Sequence, residues 1–321
     1  MKKTLEYNAT LREKIDLTAS LSIFRVEPDG AGDEALSDFL PGQYGVLGLN
    51  NEDRPELGSV RRPMSLVSAP EEVRGESPKV LEFYIRYVHH PESDNPLTHL
   101  LWRLEAGDRL FVGPKIAGRF TAEDTVGAED QRLRLCVAAG TGLAPFLSFA
   151  RSQALADPAA DLSQLAILHG ASYPADLGYG EELEQLASER GLIYRRTVSR
   201  PHEAPNWPGD AGRVEDYFLA DRLPELDQAL GFEADGGVRP ENTVIFICGL
   251  QGTIGQTFLR LLDRGFVPEN RRLRGALEIP AEVEASLFFE QYDTTPVVDL
   301  KDEALIADLR SRLHDALESR S

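Results

Sequence analysis

The alternation of apolar and polar positions changes character once along the chain. Up to about residue 124 the apolar positions come in short runs broken by polar ones. Ser20-Leu21-Ser22-Ile23-Phe24-Arg25-Val26 and Val80-Leu81-Glu82-Phe83-Tyr84-Ile85-Arg86-Tyr87-Val88 are the clearest, with the period of half-buried strands. Residues 43–49, entered through Pro41-Gly42, and 108–112, after the turn at Ala106-Gly107, add two more. Closely spaced strands of this kind predict a small antiparallel barrel. Leu97, Leu100, Leu101 and Leu104 recur at helical spacing and predict a helix over 97–105.

From about residue 133 the apolar runs become continuous: Leu133-Arg134-Leu135-Cys136-Val137-Ala138, Leu165-Ala166-Ile167-Leu168 and Val244-Ile245-Phe246-Ile247-Cys248. Such runs suit parallel strands buried on both faces. A more polar, edge-proximal strand is expected over 192–198. Helices are expected over 144–156, 181–189 and 255–264. Strand–helix alternation argues for a parallel α/β domain. The predicted organisation is therefore an antiparallel β-barrel over 1–124, an α/β parallel-sheet domain over 125–297, and a tail over 298–321. The acidic stretch 122–131 is the expected linker, 50–60 a polar insertion, and 230–242 a Gly-rich connection. In the tail, Leu305, Ile306, Leu309, Leu313 and Leu317 predict an amphipathic helix. Its mixed polar face suits the protein body or a neighbouring subunit better than a membrane.

Composition narrows the function. With 321 residues, 42% of them hydrophobic, two cored domains are expected. A net charge of −19 disfavours general nucleic-acid binding. No run approaches the ~20 apolar residues of a membrane span. Two lysines open the chain without an apolar region behind them, so no signal peptide is expected. Two cysteines in strand-like runs suit a reducing cytoplasm. The basic clusters Arg61-Arg62, Arg195-Arg196 and Arg271-Arg272-Leu273-Arg274 are either solvated faces or docking points for an anion or acidic partner. His89, His90 and His99 lack the carboxylates and spacing of a metal site.

Three segments carry candidate chemistry. Gly140-Thr141-Gly142-Leu143-Ala144-Pro145 follows a buried strand and precedes a helix. That is the context of a phosphate-binding turn, where backbone N–H groups at a helix start face an anion; an ordinary tight turn is the alternative. Arg62-Pro63-Met64-Ser65 offers an arginine suited to phosphate and a hydroxyl near a heterocycle edge, although taken alone it reads as a β-edge with a surface arginine. Cys248-Gly249-Leu250-Gln251-Gly252 closes the last strong strand. Its cysteine is either a small core hydrophobe or a group facing the ligand crevice at a strand C-terminus.

Taken together, the segments resemble the plant-type ferredoxin–NADP⁺ reductase family, in particular its bacterial branch, over about residues 5–293. The family's Arg-x-Tyr-Ser flavin motif is similar to Arg62-Pro63-Met64-Ser65. Its Gly-x-x-Ser motif is similar to Asn95-Pro96-Leu97-Thr98 only at the hydroxyl. Gly113 to Phe120 is similar to its loop after the barrel. The NADP pyrophosphate turn, the Cys-Gly-Leu motif and the terminal Glu-x-Tyr are similar to Gly140–Pro145, Cys248–Gly252 and Glu290-Gln291-Tyr292. The resemblance implies hydride exchange between NADP(H) and FAD, and single-electron exchange with ferredoxin or flavodoxin. It implies catalytic roles for Ser65, Cys248 and Glu290. For FAD it implies Arg62, Pro63, Met64, Ser65, Tyr84, Ile85, Arg86, Thr98 and Tyr292. For NADP it implies Gly140, Thr141, Gly142, Pro145, Ser199, Arg200, Arg213, Cys248, Gly249 and Leu250.

Two features depart from the family pattern. Met64 replaces the flavin-stacking aromatic, which leads us to expect a shifted flavin potential and weaker flavin retention. The chain also continues past Tyr292 to Ser321, with Tyr292 expected to cap the ring or the tail helix to dock across the site or on a second subunit. NADH use remains open, since NADH-using relatives also carry Ser-Arg-Pro and Ser172 stands where some members have an arginine. So do a flavin or ferric reductase, an oxygenase reductase component, and an electron-transfer subunit without independent turnover.

Overall fold

The structure, a computed structural model, describes residues 4–30, 36, 38–74, 79–232 and 236–319. Met1 to Lys3 and residues 233–235 of the Gly-rich connection lie outside the described residues. Contacts divide the chain into two compact units. The first comprises Met1–Asp124 and Ala144–Ala160, the second Thr125–Leu143 and Asp161–Ser321.

The first unit holds strands β1 (Ala9–Thr18), β2 (Leu21–Pro28), β3 (Tyr44–Asn50), β4 (Ser59–Ser65), β5 (Leu81–Arg86) and β6 (Arg109–Val112). Their order is β4-β3-β6-β1-β2-β5, with all pairings antiparallel. A bridge from Leu66 to Phe83 brings the two ends of this order together, so the expected antiparallel barrel is present. Inward positions such as Leu11, Phe24, Val26, Leu47, Leu81, Phe83 and Leu110 form one core. Helices α1 (Pro70–Val73) and α2 (Leu97–Leu101) are short, and α3 (Ala122–Thr125) interrupts the expected linker. The helix predicted over 97–105 stops at Leu101, because the next amides turn inward to i−3 carbonyls: Arg103 to Leu100 and Leu104 to Leu101.

Helix α4 (Ala144–Ala156) packs with this unit. The Ser148 hydroxyl donates to the Ser68 carbonyl at 2.8 Å, and Arg151 reaches Glu82 at 2.9 Å. Glu82 is buried, and Arg25 pairs with it from β2 at 2.7 Å. Burial alone would raise its pKa, but Arg151 and Arg25 outweigh that and hold the carboxyl below its ordinary value.

The second unit is a parallel sheet of β7 (Leu133–Ala139), β8 (Leu165–Ala171), β9 (Ile193–Val198), β10 (Asp210–Ala211), β11 (Thr243–Gly249) and β12 (Leu287–Gln291). The order is β10-β9-β8-β7-β11-β12. The chain winds outward from β7 to β10, then returns to add β11 on the other side of β7. That reversal is a topological switch point, where open α/β sheets bind ligands at strand C-termini. Every residue of β11 is buried, as its continuous apolar run requires.

Helices α5 (Gly180–Arg190), α6 (Leu223–Ala229), α7 (Gln251–Leu261), α8 (Arg271–Ala276) and α9 (Glu303–Glu318) complete the unit. The tail helix α9 is capped by Asp302, whose side chain accepts from Leu305 N–H at 3.0 Å. Ile306, Leu309 and Leu313 enter the core of this same unit. Arg312 pairs with Asp263 at 2.8 Å and Arg310 with Glu278 at 2.9 Å. Thus the tail packs on its own body. No described helix is long and apolar enough to cross a membrane.

Candidate functional site

In the second unit the C-terminal ends of β7 and β11 meet at the glycine turn. A 3-10 turn, Gly140–Leu143, follows β7. A Cβ built at Gly142 would lie 2.0 Å from the Cys248 carbonyl oxygen and 2.7 Å from its carbon. The turn can lie this close to β11 only because residue 142 has no side chain. Gly140 differs: its φ is +56°, and a Cβ there would meet nothing within 4 Å. This glycine leaves an open backbone cradle of the kind an anion occupies. His169, buried on β8 beside Ala138, faces the same turn. Burial pushes its imidazole down to about 4, partly offset by the Gly140 backbone, so the ring is neutral at pH 7.

Parallel register sets Glu290 of β12 beside Cys248. The Cys248 side chain is fully buried. Burial, then the Glu290 charge, push its thiol well above the ordinary range, while the neighbouring Tyr292 hydroxyl pulls the other way. Tyr292 is 44% exposed. Its N–H donates to the Gly249 carbonyl at 3.1 Å and its hydroxyl to the Thr141 carbonyl at 3.4 Å. The structure therefore brings Thr141, Gly142, Cys248, Gly249, Glu290 and Tyr292 into one cluster. Leu250 projects outward at 57% exposure. Helix α7 begins at Gln251, earlier than the pattern predicts, because the Asp293 carboxylate accepts the Gln251 N–H at 3.1 Å. Pro145 lies inside α4 with the first unit.

Ser199, Arg200 and Arg213 stand at the other side of the sheet, beyond β9 and β10. The Ser199 N–H donates to Ala171 O at 3.0 Å and the Arg200 N–H to Ser172 O at 3.1 Å, extending the β8–β9 ladder. Among the described residues neither Arg200 nor Arg213 forms an ion pair, and both are exposed. Two uncompensated arginines suit a phosphate dianion. Tyr173 touches Arg200, a contact missed by motif reading but encoded in the β8–β9 register.

In the first unit Arg62 and Pro63 lie on the exposed part of β4, and Ser65 is buried at its end. The Arg62 guanidinium donates to the Arg61 carbonyl at 2.8 Å and has no carboxylate partner among the described residues. An exposed arginine left without a counter-ion fits a phosphate. Met64 is half-buried and packs against the barrel core. Tyr84 and Ile85 are buried on β5, with Ile85 part of that core; Arg86 ends the strand. The Leu66–Phe83 bridge sets this strand beside the end of β4. Thr98 is buried, and its hydroxyl accepts the Val88 N–H at 3.4 Å. His99 stacks on Tyr87, with ring centroids 4.4 Å apart. Among the described residues no group of His, Cys, Asp or Glu forms a metal-binding cluster.

The family described as Oxidoreductase NAD-binding domain matches residues 136–257. Ferredoxin–NADP reductase B of Sorangium cellulosum is 35% identical over 210 residues, covering 65% of this chain and 73% of that protein. Sulfhydrogenase 1 subunit gamma of Pyrococcus furiosus is 27% identical over 257 residues, covering 79% and 73%. A crystal structure of a ferredoxin NADP⁺ reductase from Neisseria gonorrhoeae with bound FAD and NADP shares the fold, with a TM-score of 0.65 at 22% identity, covering 88% of this chain and 97% of that one.

Proposed function

Because the chain belongs to the ferredoxin–NADP reductase family, we propose that it is an FAD-dependent oxidoreductase exchanging a hydride with NADP(H) and single electrons with a ferredoxin or flavodoxin. The observation that carries this reading is the seating of Gly142 against the Cys248 carbonyl, with Glu290 and Tyr292 beside the same cysteine. It joins a phosphate-binding turn and a group of small polar side chains at one switch point.

The first unit would hold FAD, with Arg62 and Thr98 toward its pyrophosphate and Pro63, Met64, Ser65, Tyr84 and Arg86 around its ring. Ile85 contributes backbone, because its side chain belongs to the barrel core. When bound, FAD supplies the conversion between two-electron hydride chemistry and one-electron chemistry. Gly140, Thr141 and Gly142 present backbone groups to the NADP pyrophosphate, while Ser199, Arg200 and Arg213 take its 2′-phosphate. Cys248 stays a neutral thiol, raised by burial and by Glu290, so it acts as a small polarisable wall and not as a nucleophile. Glu290 keeps a carboxylate beside it for polarity or for a proton. The Tyr292 ring covers this corner through its bond to Thr141.

Anaerobic titration of the purified protein tests the reading. NADPH bleaches the flavin absorbance near one equivalent, and NADH does so only in large excess. A preparation without bound flavin, or a flavin bleached by neither nucleotide, rejects it. The similarity to a sulfhydrogenase gamma subunit favours a second reading, an electron-transfer subunit within a larger complex. Slow reduction of a ferredoxin by the isolated chain, restored by a co-purifying partner, would select it.

A further inference from the structure

We infer that Tyr173 is the positioning residue that fixes Arg200 for the 2′-phosphate, and that it thereby sets the preference for NADP(H) over NAD(H). The inference rests on the NADP reading above. It starts from which arginines near β9 and β10 still have charge to offer. Arg195 pairs with Asp210 and Glu225, each at 2.9 Å. Arg196 pairs with Glu184 at 2.6 Å and lies 5.0 Å from the Trp207 ring centroid. Arg260 pairs with Asp216 at 3.0 Å. Arg222 donates to the Ala211 carbonyl at 2.9 Å. Arg200 has a neutral partner instead. Its Nη1 donates to the Tyr173 hydroxyl, and its guanidinium carbon lies 5.1 Å from the Tyr173 ring centroid.

The backbone makes this contact a consequence of the fold. Ala171 pairs with Val198 in the β8–β9 register, and carrying that register two residues on sets Tyr173 opposite Arg200. The ladder is still hydrogen-bonded at that level, Arg200 N–H to Ser172 O at 3.1 Å. Both residues precede a proline that opens a 3-10 turn, Pro174–Asp176 and Pro201–Glu203. A residue before proline is steered toward extended backbone; Tyr173 adopts it, with φ −133° and ψ 157°, while Arg200 turns out of it, with φ −126° and ψ 57°. The ladder hydrogen bond from Arg200 N–H to Ser172 O places the arginine beside Tyr173, and only its long side chain remains to be ordered.

An exposed arginine loses rotamer freedom when it binds a phosphate. Tyr173 removes part of that loss in advance. A phenol does so without neutralising the guanidinium, whereas a carboxylate in its place would compete with the phosphate. The hydroxyl engages Nη1, and the other N–H groups of the guanidinium fork stay available for bidentate phosphate contact. Glu203 is the nearby acid, and it acts on Arg200 through its field, not through an ion pair. NAD(H) carries a neutral hydroxyl where NADP(H) carries the dianion, so a pre-ordered Arg200 favours only the latter.

Calorimetric titration with adenosine 2′,5′-bisphosphate and with AMP tests this without any turnover, and thermal unfolding checks each variant's fold. In the wild type the bisphosphate binds more tightly. Arg200→Ala lowers the bisphosphate-to-AMP affinity ratio about tenfold. Tyr173→Leu lowers it about fivefold and Tyr173→Phe about threefold. Phe keeps the ring volume, so it carries the test if Leu fails to fold. If Arg200→Ala loses the ratio while Tyr173→Phe and Tyr173→Leu keep it, the positioning role is overturned and the NADP reading stands. If Arg200→Ala keeps the ratio, Arg200 does not read the 2′-phosphate and the inference is overturned; if the wild type binds both ligands alike, the NADP reading itself fails.

Discussion

Adding one methyl group at Gly142 tests the geometry on which the nucleotide half depends. The Cβ of Gly142→Ala would sit 2.0 Å from a backbone oxygen, against about 3.3 Å for a close carbon–oxygen contact. The turn and β11 would have to part by more than an ångström. Neither side gives cheaply, because Gly142 and Cys248 are both buried and Cys248 belongs to a central strand. Overpacking of this kind costs about 3 kcal/mol, or roughly 6–12 °C in Tm for a domain of this size. Gly140→Ala is the matched control. Its methyl meets open space, and only the positive φ of +56° is strained, at about 1 kcal/mol. Both variants lose the same backbone freedom in the unfolded chain, so that contribution cancels in the difference. Differential scanning calorimetry of the two proteins should therefore show Gly142→Ala melting well below Gly140→Ala. Gly140→Ala should stay folded but bind adenosine 2′,5′-bisphosphate poorly, because its methyl fills the cradle. Equal melting temperatures would refute the close seating of the turn on Cys248.

Three further outcomes follow from packing and charge. Leu313 is fully buried under the tail helix, so Leu313→Ala costs about 3 kcal/mol in urea unfolding with the oligomeric mass unchanged; an unaltered midpoint would deny the tail a structural role. Glu82 has a folded pKa below its ordinary 4.5, so its contribution is present above that value and is lost as pH falls through the folded pKa. Glu82→Gln should cost about 2 kcal/mol at neutral pH, and urea curves of wild type and variant should converge in strong acid; a gap that persists there would contradict the ion-pair account. Burial raises both thiols, Cys136 and Cys248, so Ellman's reagent at pH 8 should titrate neither in the native protein and both in denaturant. Rapid labelling of the native chain would show Cys248 to be accessible.

Much of this architecture is written in the hydrophobic pattern. The runs at Leu133, Leu165 and Val244 became β7, β8 and β11, because a strand buried on both faces leaves a continuous apolar signature. α4 and α9 follow their apolar periodicity for the same reason. Strands that depend on neighbours left no such mark. β1 buries Ala9 and Leu11 but then runs through Arg12, Glu13, Lys14 and Asp16, and its pairing with β2 holds it extended. β4 carries Arg61, Arg62 and Pro63 on its exposed part. β12 completes the edge of the parallel sheet with Leu287 and Phe288 as its buried pair. The same division applies to the site. Gly140 and Gly142 were legible because a positive φ at the first and close backbone approach at the second both call for glycine. The Tyr173–Arg200 contact and the Asp293 cap on α7 join residues far apart in sequence, so they emerge only once strand register is known.

The capping of α7 also bears on how fast the Tyr292 corner can open. Tyr292 is held on both sides: its N–H is bonded to Gly249, and the next residue, Asp293, is bonded to Gln251. Beyond them the Gln251 side chain donates to Val297 O at 3.3 Å, and α9 is packed into the core. A peptide segment pinned at both ends has no fraying route. The aromatic ring can still swing about χ1 and χ2, which for an exposed side chain takes picoseconds to nanoseconds rather than the microseconds of loop motion. In this chain, uncovering the Tyr292 corner is thus a matter of rotamer exchange, while the Cys248 side chain stays buried beneath it.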